Sequence, residues 1–171
     1  MGKDRNMSRD LMVQVVSDFG QEIGAQLEVD DEAYCCLAVG DELQIHLKFN
    51  EHFNGMIFYT ELGELPNIGK KEILRHYVMQ NGSIESNNLT FSYDGETKQI
   101  GMARLLPAAF MNSDNFKKIL EKFIECHQKE QEDMKRFLQG ELPRDNIQFI
   151  DSGSSTDSEA PGGLDQQFMR M

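Results

Sequence analysis

The first regular pattern in the chain is helical and runs from Ser8 to about Gly24. Apolar residues recur there every three to four positions, and polar residues fall largely between them on the opposite face. This spacing predicts an amphipathic helix with one buried side, and Ser8 is a suitable N-cap for it. The apolar positions are Leu11, Met12, Val15, Val16, Phe19 and Ile23.

Three segments typical of β-strands follow. The clearest runs from Leu43 to Phe49, where apolar residues alternate strictly with polar ones. Ala33 to Val39 before it and Met56 to Leu62 after it are rich in apolar residues, and short turns separate the three segments. Because such short turns cannot lead to a parallel partner, the pattern predicts an antiparallel meander.

The remaining pattern predicts a short helix, a hairpin and a long helix. The short helix covers Asn67 to Gln80, and the hairpin strands cover Leu89 to Tyr93 and Lys98 to Leu105. The long helix runs from about Ser113 to Gln139, with an apolar side that a polar stretch from His127 to Asp133 interrupts. We therefore expect its first half to pack on the sheet and its second half to be more exposed or to contact a partner.

The composition changes after Gly140. Residues 141–171 contain six acidic and two basic residues, and serine and glycine dominate the stretch from 151 to 163. Such a segment has too little apolar surface to offset the entropy of ordering it. We predict one domain over residues 1–140 and an acidic Ser/Gly-rich tail over residues 141–171, disordered beyond about residue 152.

The charge argues against nucleic acid and against an anionic membrane surface as partners. The chain has 29 acidic and 17 basic residues, a formal net charge of −12, and a pI of about 4.7. Nucleic-acid binding requires clustered lysine and arginine, and the sequence has no such cluster. It also has no run of eighteen apolar residues, and the N-terminus lacks the apolar stretch of a secretory signal. We expect no nucleic-acid binding and no membrane insertion.

The residues that carry chemistry form no recognisable catalytic or metal-binding motif. The three cysteines, Cys35, Cys36 and Cys126, contain no Cys-x-x-Cys pair, and the four histidines have no metal-ligand spacing. The serine-nucleophile, phosphate-loop and calcium-loop signatures are also missing from the sequence. We expect no enzyme, no metal and no cofactor, although a hydrolase with a dispersed site remains open.

Ten methionines in 171 residues leave two interpretations open. Methionine suits surfaces that accept varied apolar partners, and it also fills cores. With catalytic, metal-binding and nucleic-acid-binding motifs missing, the composition favours a function in which the surface of the protein binds other proteins.

Four segments carry a further signal together with the predicted order of elements, α-β-β-β-α-β-β-α. They are Leu11–Phe19, Gly40–Leu47, Leu62–Pro66 and Phe116–Phe123. In these features the chain resembles the class I type III secretion chaperones, the Tir chaperone (CesT/SycE-like) family. The resemblance covers residues 8–140 and predicts an α+β fold, with helices packed on a twisted antiparallel sheet. Two features depart from the family pattern: the long acidic tail and the polar middle of the last helix.

The resemblance implies a function in protein export. A family member is a bacterial cytoplasmic homodimer that binds an extended segment near the N-terminus of secreted effector proteins and is recognised by the secretion apparatus. It needs no cofactor. The short helix and the hairpin would form the subunit interface, with candidate residues Ile73, Leu74, Tyr77, Val78, Phe91 and Tyr93. The alternative is a regulatory or scaffold module of the same fold, outside secretion, that holds its partner through the sheet edge or the tail.

The first predicted strand is a candidate site for cargo. As the edge of a meander it offers unpaired backbone groups, to which an extended segment can add as a further strand. Pockets for the cargo side chains would be lined by the first helix and the sheet. We expect most of the lining residues to belong to the core and a minority to touch cargo. The candidates are Leu11, Val15, Phe19, Leu37, Val39, Leu43, Ile45 and Leu47.

Overall fold

The computed structural model describes residues 2–40, 42–67, 69–81 and 88–141, with side chains from Met7 onward. The predicted order of helices and strands is confirmed. Nearly all of the predicted tail, residues 142–171, lies outside the described residues. The elements are α1 (Gly2–Ile23), β1 (Tyr34–Val39), β2 (Leu43–Asn50), β3 (Gly55–Glu64), α2 (Lys70–Gln80), β4 (Leu89–Tyr93), β5 (Gln99–Pro107), a 3-10 turn (Ala108–Phe110) and α3 (Ser113–Leu138).

All five strands form one antiparallel sheet in the order β1-β2-β3-β5-β4. The short turns make the predicted meander of β1, β2 and β3, and the second hairpin adds β5 beside β3. β1 and β4 are therefore the two edge strands. An edge strand has backbone groups that the sheet does not pair, so these two strands are where a further strand can add.

The helices cover one face of the sheet. The Phe58 ring of β3 lies 5.5 Å from the ring of Phe116 and 5.9 Å from that of Phe123, both on α3. Phe19 of α1 contacts Phe116 at 5.2 Å. On β2, Leu43, Ile45, Leu47 and Phe49 are buried in this layer, whereas the residues that alternate with them are exposed or half-buried. The strict alternation in the sequence reports this difference between the two faces.

One expectation about the helices is wrong. α1 begins at Gly2, so Ser8 lies inside the helix and is not its N-cap. α3 begins at Ser113, as predicted, and its N-cap is Asn112, whose side chain accepts a hydrogen bond of 2.9 Å from the Asn115 N–H. The second half of α3 has a buried side made by Glu130, Met134 and Phe137, and its contact with a partner stays a prediction.

The buried side of the second half of α3 packs against α2. Phe137 packs edge-on against His76 and Tyr77 of α2, at ring distances of 5.8 and 6.5 Å. Polar His127 and Glu130 are 7% and 3% exposed and continue the buried face between the apolar residues. One face of α3 is therefore buried along the whole helix, although the sequence of its second half is mostly polar.

Candidate functional site

The structure divides the predicted cargo residues into two groups. Five of them, Val15, Leu37, Leu43, Ile45 and Leu47, are at most 8% exposed and belong to the core of the domain. The other three, Leu11, Phe19 and Val39, are half-buried and pack against that core from its margin. These three have apolar surface left for a partner, and their contact with cargo stays a prediction.

The backbone of β1 faces alternately towards β2 and away from it. The Phe49 N–H donates to the Ala33 carbonyl at 3.0 Å, which makes the backbone just before β1 face β2. In an antiparallel pair such positions recur at every second residue. The backbone groups of Tyr34, Cys36 and Ala38 therefore point away from the sheet.

Asp30 occupies the first of these three outward positions. Its N–H donates to the Tyr34 carbonyl at 2.9 Å, and its Oδ1 accepts from the Tyr34 N–H at 2.9 Å. Cys36 and Ala38 have no such backbone partner in the described part of the chain. The open edge of β1 thus consists of two adjacent outward positions.

The opposite edge of the sheet is interrupted by a side chain. Asn81, the residue after α2, donates from Nδ2 to the Phe91 carbonyl at 2.9 Å and accepts from the Phe91 N–H at 2.6 Å. Its amide thus takes the place of a neighbouring strand at the middle of β4. Since the outward positions of this five-residue strand are Leu89, Phe91 and Tyr93, no two adjacent ones remain free.

An apolar groove lies between α1 and the 3-10 turn, with a volume of about 590 Å³. Met7 and Leu11 line one side, and Ala108 and Ala109 line the other. Met7, Phe53 and Phe110 are 67%, 58% and 63% exposed. The sequence gives little signal for this surface, because single apolar residues in loops have no periodicity.

The predicted interface residues also fall into two groups. Ile73, Tyr77 and Phe91 are at most 5% exposed and lie in the chain's own core, where Tyr77 contacts Phe91 at 4.9 Å. Val78 is 68% exposed, and Leu74 is half-buried one turn before it. Leu74 and Val78 are therefore the candidates that can touch a second subunit directly.

Tyr93, the last interface candidate, is half-buried and is held by Lys70. The Lys70 ammonium donates to the Tyr93 hydroxyl at 2.8 Å and lies 4.8 Å from the centre of the ring. This contact joins the start of α2 to the end of β4, so the two elements form one surface.

A buried polar cluster lies where α2 meets α3. Burial raises the pKa of the Glu130 carboxyl, and it outweighs the Lys129 ammonium, which lies 4.0 Å from Glu130 Oε1 and favours the charged form. Burial also raises the pKa of the Tyr77 hydroxyl, and Glu130 adds to this rise. Tyr77 Oη and Glu130 Oε2 are buried without a hydrogen-bond partner.

The described residues do not form a metal site or a membrane span. No group of three or more histidine, cysteine, aspartate and glutamate side chains in this part of the chain has a geometry that could hold a metal ion. Its helices are also all too short or too polar to cross a bilayer. Among the described residues, the open edge of β1, the apolar groove beside α1 and the outer side of α2 are surfaces that a partner can contact.

The family model of the Tir chaperone protein (CesT) family matches residues 14–129, which is more than half of the chain. The chain belongs to this family. The match extends from the middle of α1 to Lys129 within α3, so it includes both edge strands and α2. No curated protein matches the sequence closely.

Solved structures share the fold of this CesT-family member. A chain of the ExsC–ExsE complex is 17% identical, with a TM-score of 0.64 over 71% of this chain and 91% of that one. A chain of the HopA1–SchA chaperone–effector complex is 14% identical, with a TM-score of 0.63 over 74% and 97%. A chain of the ExoU–SpcU complex from the Pseudomonas aeruginosa type III secretion system is 16% identical, with a TM-score of 0.52 over 70% and 93%.

Proposed function

We propose that this protein is a type III secretion chaperone of the bacterial cytosol. It binds an extended segment near the N-terminus of secreted effector proteins and keeps that segment soluble and competent for export. Membership of the Tir chaperone family supports this function, and so does the fold that the chain shares with chains of chaperone–effector complexes. The observation that carries the proposal is the open edge of β1 in a member of this family.

The backbone of β1 supplies the affinity. An extended cargo segment adds beside β1 and pairs with the outward N–H and C=O groups of Cys36 and Ala38. Alternate side chains of an added strand point to opposite faces of the sheet, so those on the helix side meet the apolar margin of the core. Leu11, Phe19 and Val39 are the half-buried candidates at that margin.

The acidic surface keeps the chaperone in solution. A net charge of −12 repels other copies of the chain and favours cargo segments with basic residues. Binding of this kind moves no electrons or protons, and the protein acts as a carrier without catalysis.

The carrier is proposed to be a homodimer. In this arrangement the exposed side of α2, with Leu74 and Val78, packs against a second copy, and β4 lies at the rim of the contact. The core residues Ile73, Tyr77 and Phe91 support this surface from within.

Cargo capture tests the proposal directly. The tagged protein is purified from its source cells, and whatever co-purifies is digested briefly with a protease. We expect one extended segment near the N-terminus of a partner to be protected. An intact globular partner without a protected segment would contradict the chaperone and favour a scaffold module of the same fold.

The role of the β1 edge is tested by Ala38→Pro. Proline removes the outward N–H, and an edge strand tolerates it because the hydrogen bonds to β2 come from the neighbouring residues. We expect weaker cargo binding with little loss of stability, measured by titration calorimetry and thermal unfolding. Ala38→Thr keeps the N–H and is the matched control. Equal cargo affinity of the two variants would rule out strand addition at this edge.

A further inference from the structure

The sheet is split at one end between β2 and β3. These strands pair only from His46 opposite Tyr59 to Asn50 opposite Gly55. Before His46, β2 pairs with β1 alone, and after Tyr59, β3 pairs with β5 alone. The register of β3 against β5 also shifts between Glu61 and Gly63, just beyond Tyr59, the last residue of β3 that pairs with β2.

Side chains replace the missing ladder of backbone hydrogen bonds. Thr60 Oγ1 donates to the Gln44 carbonyl at 2.8 Å. Gln131 of α3 donates from Nε2 to the Leu62 carbonyl at 3.0 Å. The carbonyls of Gln44 and Leu62 are therefore satisfied at the split by side chains and not by the N–H groups of a paired strand.

A polar cleft of about 270 Å³ occupies the split. At about 30 Å³ for each water molecule in the liquid, this is space for roughly nine waters. Gln99 Oε1 is buried at this cleft and has no hydrogen-bond partner. A buried acceptor without a donor costs free energy, so binding of a ligand that brings an N–H or O–H group into the cleft is favoured. The polar side chains of the lining are Glu42, Gln44, His46, Thr60, Glu61, Gln99 and Gln131.

The charge and the rings around the cleft indicate which donor fits. Glu42 and Glu61 are exposed carboxylates, and no lysine or arginine of the described chain lines the cleft. On the same face of the sheet, the His46 ring lies 5.9 Å from that of Tyr34 and 6.0 Å from that of Tyr59. Carboxylates, amide oxygens and aromatic faces together suit a cation with several N–H donors.

We propose that this cleft binds the guanidinium group of an arginine in the cargo segment, and this inference rests on the proposed chaperone function. Guanidinium presents five N–H donors in one plane, so it can pair with a carboxylate and a side-chain amide oxygen of the lining together. It is also less strongly hydrated than the lysine ammonium and stacks on aromatic rings. Backbone pairing at the β1 edge accepts many cargo sequences. The cleft adds specificity, because it requires one arginine in the cargo segment.

A blocked amino acid tests the cleft without any cargo. N-acetyl-arginine N-methylamide is titrated into the ¹⁵N-labelled protein, and the chemical shifts are followed by NMR. We expect saturable shifts at the side-chain amides of Gln44 and Gln99 and at the backbone of Gly63. The citrulline analogue has the same shape without the charge and should cause no such shifts.

Two variants localise the effect. The double variant Glu42→Gln, Glu61→Gln removes both carboxylates and should weaken arginine binding by about fivefold or more. Glu121→Gln changes an exposed acid of α3 that does not line the cleft, and it should leave the binding unchanged. Equal shifts from the citrulline analogue, equal binding by the double variant, or no shifts at all would overturn the proposal.

The same variants separate this inference from the chaperone function. If the double variant captures the protected cargo segment as tightly as the wild type, the cleft assignment is wrong and the chaperone stands. If blocked arginine binds in the cleft but the protein captures no extended segment, the chaperone function is wrong and the cation site stands.

Discussion

Gly55, the first residue of β3, sits where a side chain does not fit. A Cβ atom at this position would lie 2.6 Å from the Leu106 carbonyl oxygen and 3.0 Å from the Pro107 Cα. Both contacts are with the backbone of β5, which is paired with β3 and cannot move aside easily. The glycine therefore allows the two central strands to meet at this end of the sheet.

We expect Gly55→Ala to lower the free energy of unfolding by about 1–3 kcal/mol, because it overpacks the sheet. Urea unfolding measures the change. Gly95→Ala is the control, since its Cβ would meet only the Tyr93 ring at 3.9 Å, an ordinary contact. If both variants unfold at the wild-type midpoint, the crowding at Gly55 is not real.

Burial of single residues could be predicted from the sequence only where the pattern is strict. The alternation from Leu43 to Phe49 predicts the buried side of β2 correctly. On α2 the spacing shows that Ile73 and Tyr77 share a face, but it cannot say whether that face meets the core or a partner. The structure places both in the core, because α3 and β4 cover them.

The contact between α2 and α3 should respond to pH through Glu130. Its carboxyl is 3% exposed, and its pKa is raised above the ordinary value of 4.5. Below the unfolded-state pKa both states are protonated and the full stability is present. As the pH rises towards the raised pKa, the unfolded chain loses its proton first, and the free energy of unfolding falls.

We expect Glu130→Gln to remove this loss. The amide keeps the shape of the side chain and stays neutral, so the variant should gain stability over the wild type as the pH rises from 4.5 to 8. Chemical unfolding at a series of pH values measures the difference. Glu121→Gln, an exposed change on the same helix, should follow the wild type. If the free energies of unfolding of Glu130→Gln and the wild type differ by the same amount at every pH, the pKa of the Glu130 carboxyl is not raised by folding.

The helices and strands could be predicted from the sequence, but the way in which they pack and pair with one another could not. Except for the start of α1, which lies six residues before the predicted Ser8, every helix and strand lies within about three residues of its predicted bounds, because the periods of 3.6 and 2 are clear along most of the chain. The split between β2 and β3 is different. It depends on the register between strands and on Thr60 and Gln131, which come from different elements and carry no local signal.

The assembly of the whole molecule should depend on the outer side of α2. Val78 is 68% exposed, and Leu74 precedes it by one helical turn on the same side. We expect the double variant Leu74→Asp, Val78→Asp to be a folded monomer, because it places two charges in the proposed dimer contact. Light scattering after gel filtration gives the mass, and circular dichroism shows that the fold is kept.

Met79→Asp is the matched control for this change. Met79 is 44% exposed on the same helix, but it points about 100° away from Val78. This variant should keep the mass of the wild type. A dimeric Leu74→Asp, Val78→Asp protein would rule out this side of α2 as the interface.

The Asn81 amide on β4 also decides how copies of the chain can join through their sheets. If both edges were open, β1 of one copy could pair with β4 of the next, and this head-to-tail contact repeats without end into a fibre. With the middle of β4 occupied, β1 with β1 is the edge contact that the described residues leave open to two copies. That contact is symmetric and closes after two chains, so a chaperone that binds cargo along β1, as proposed above, is not expected to polymerise through this edge.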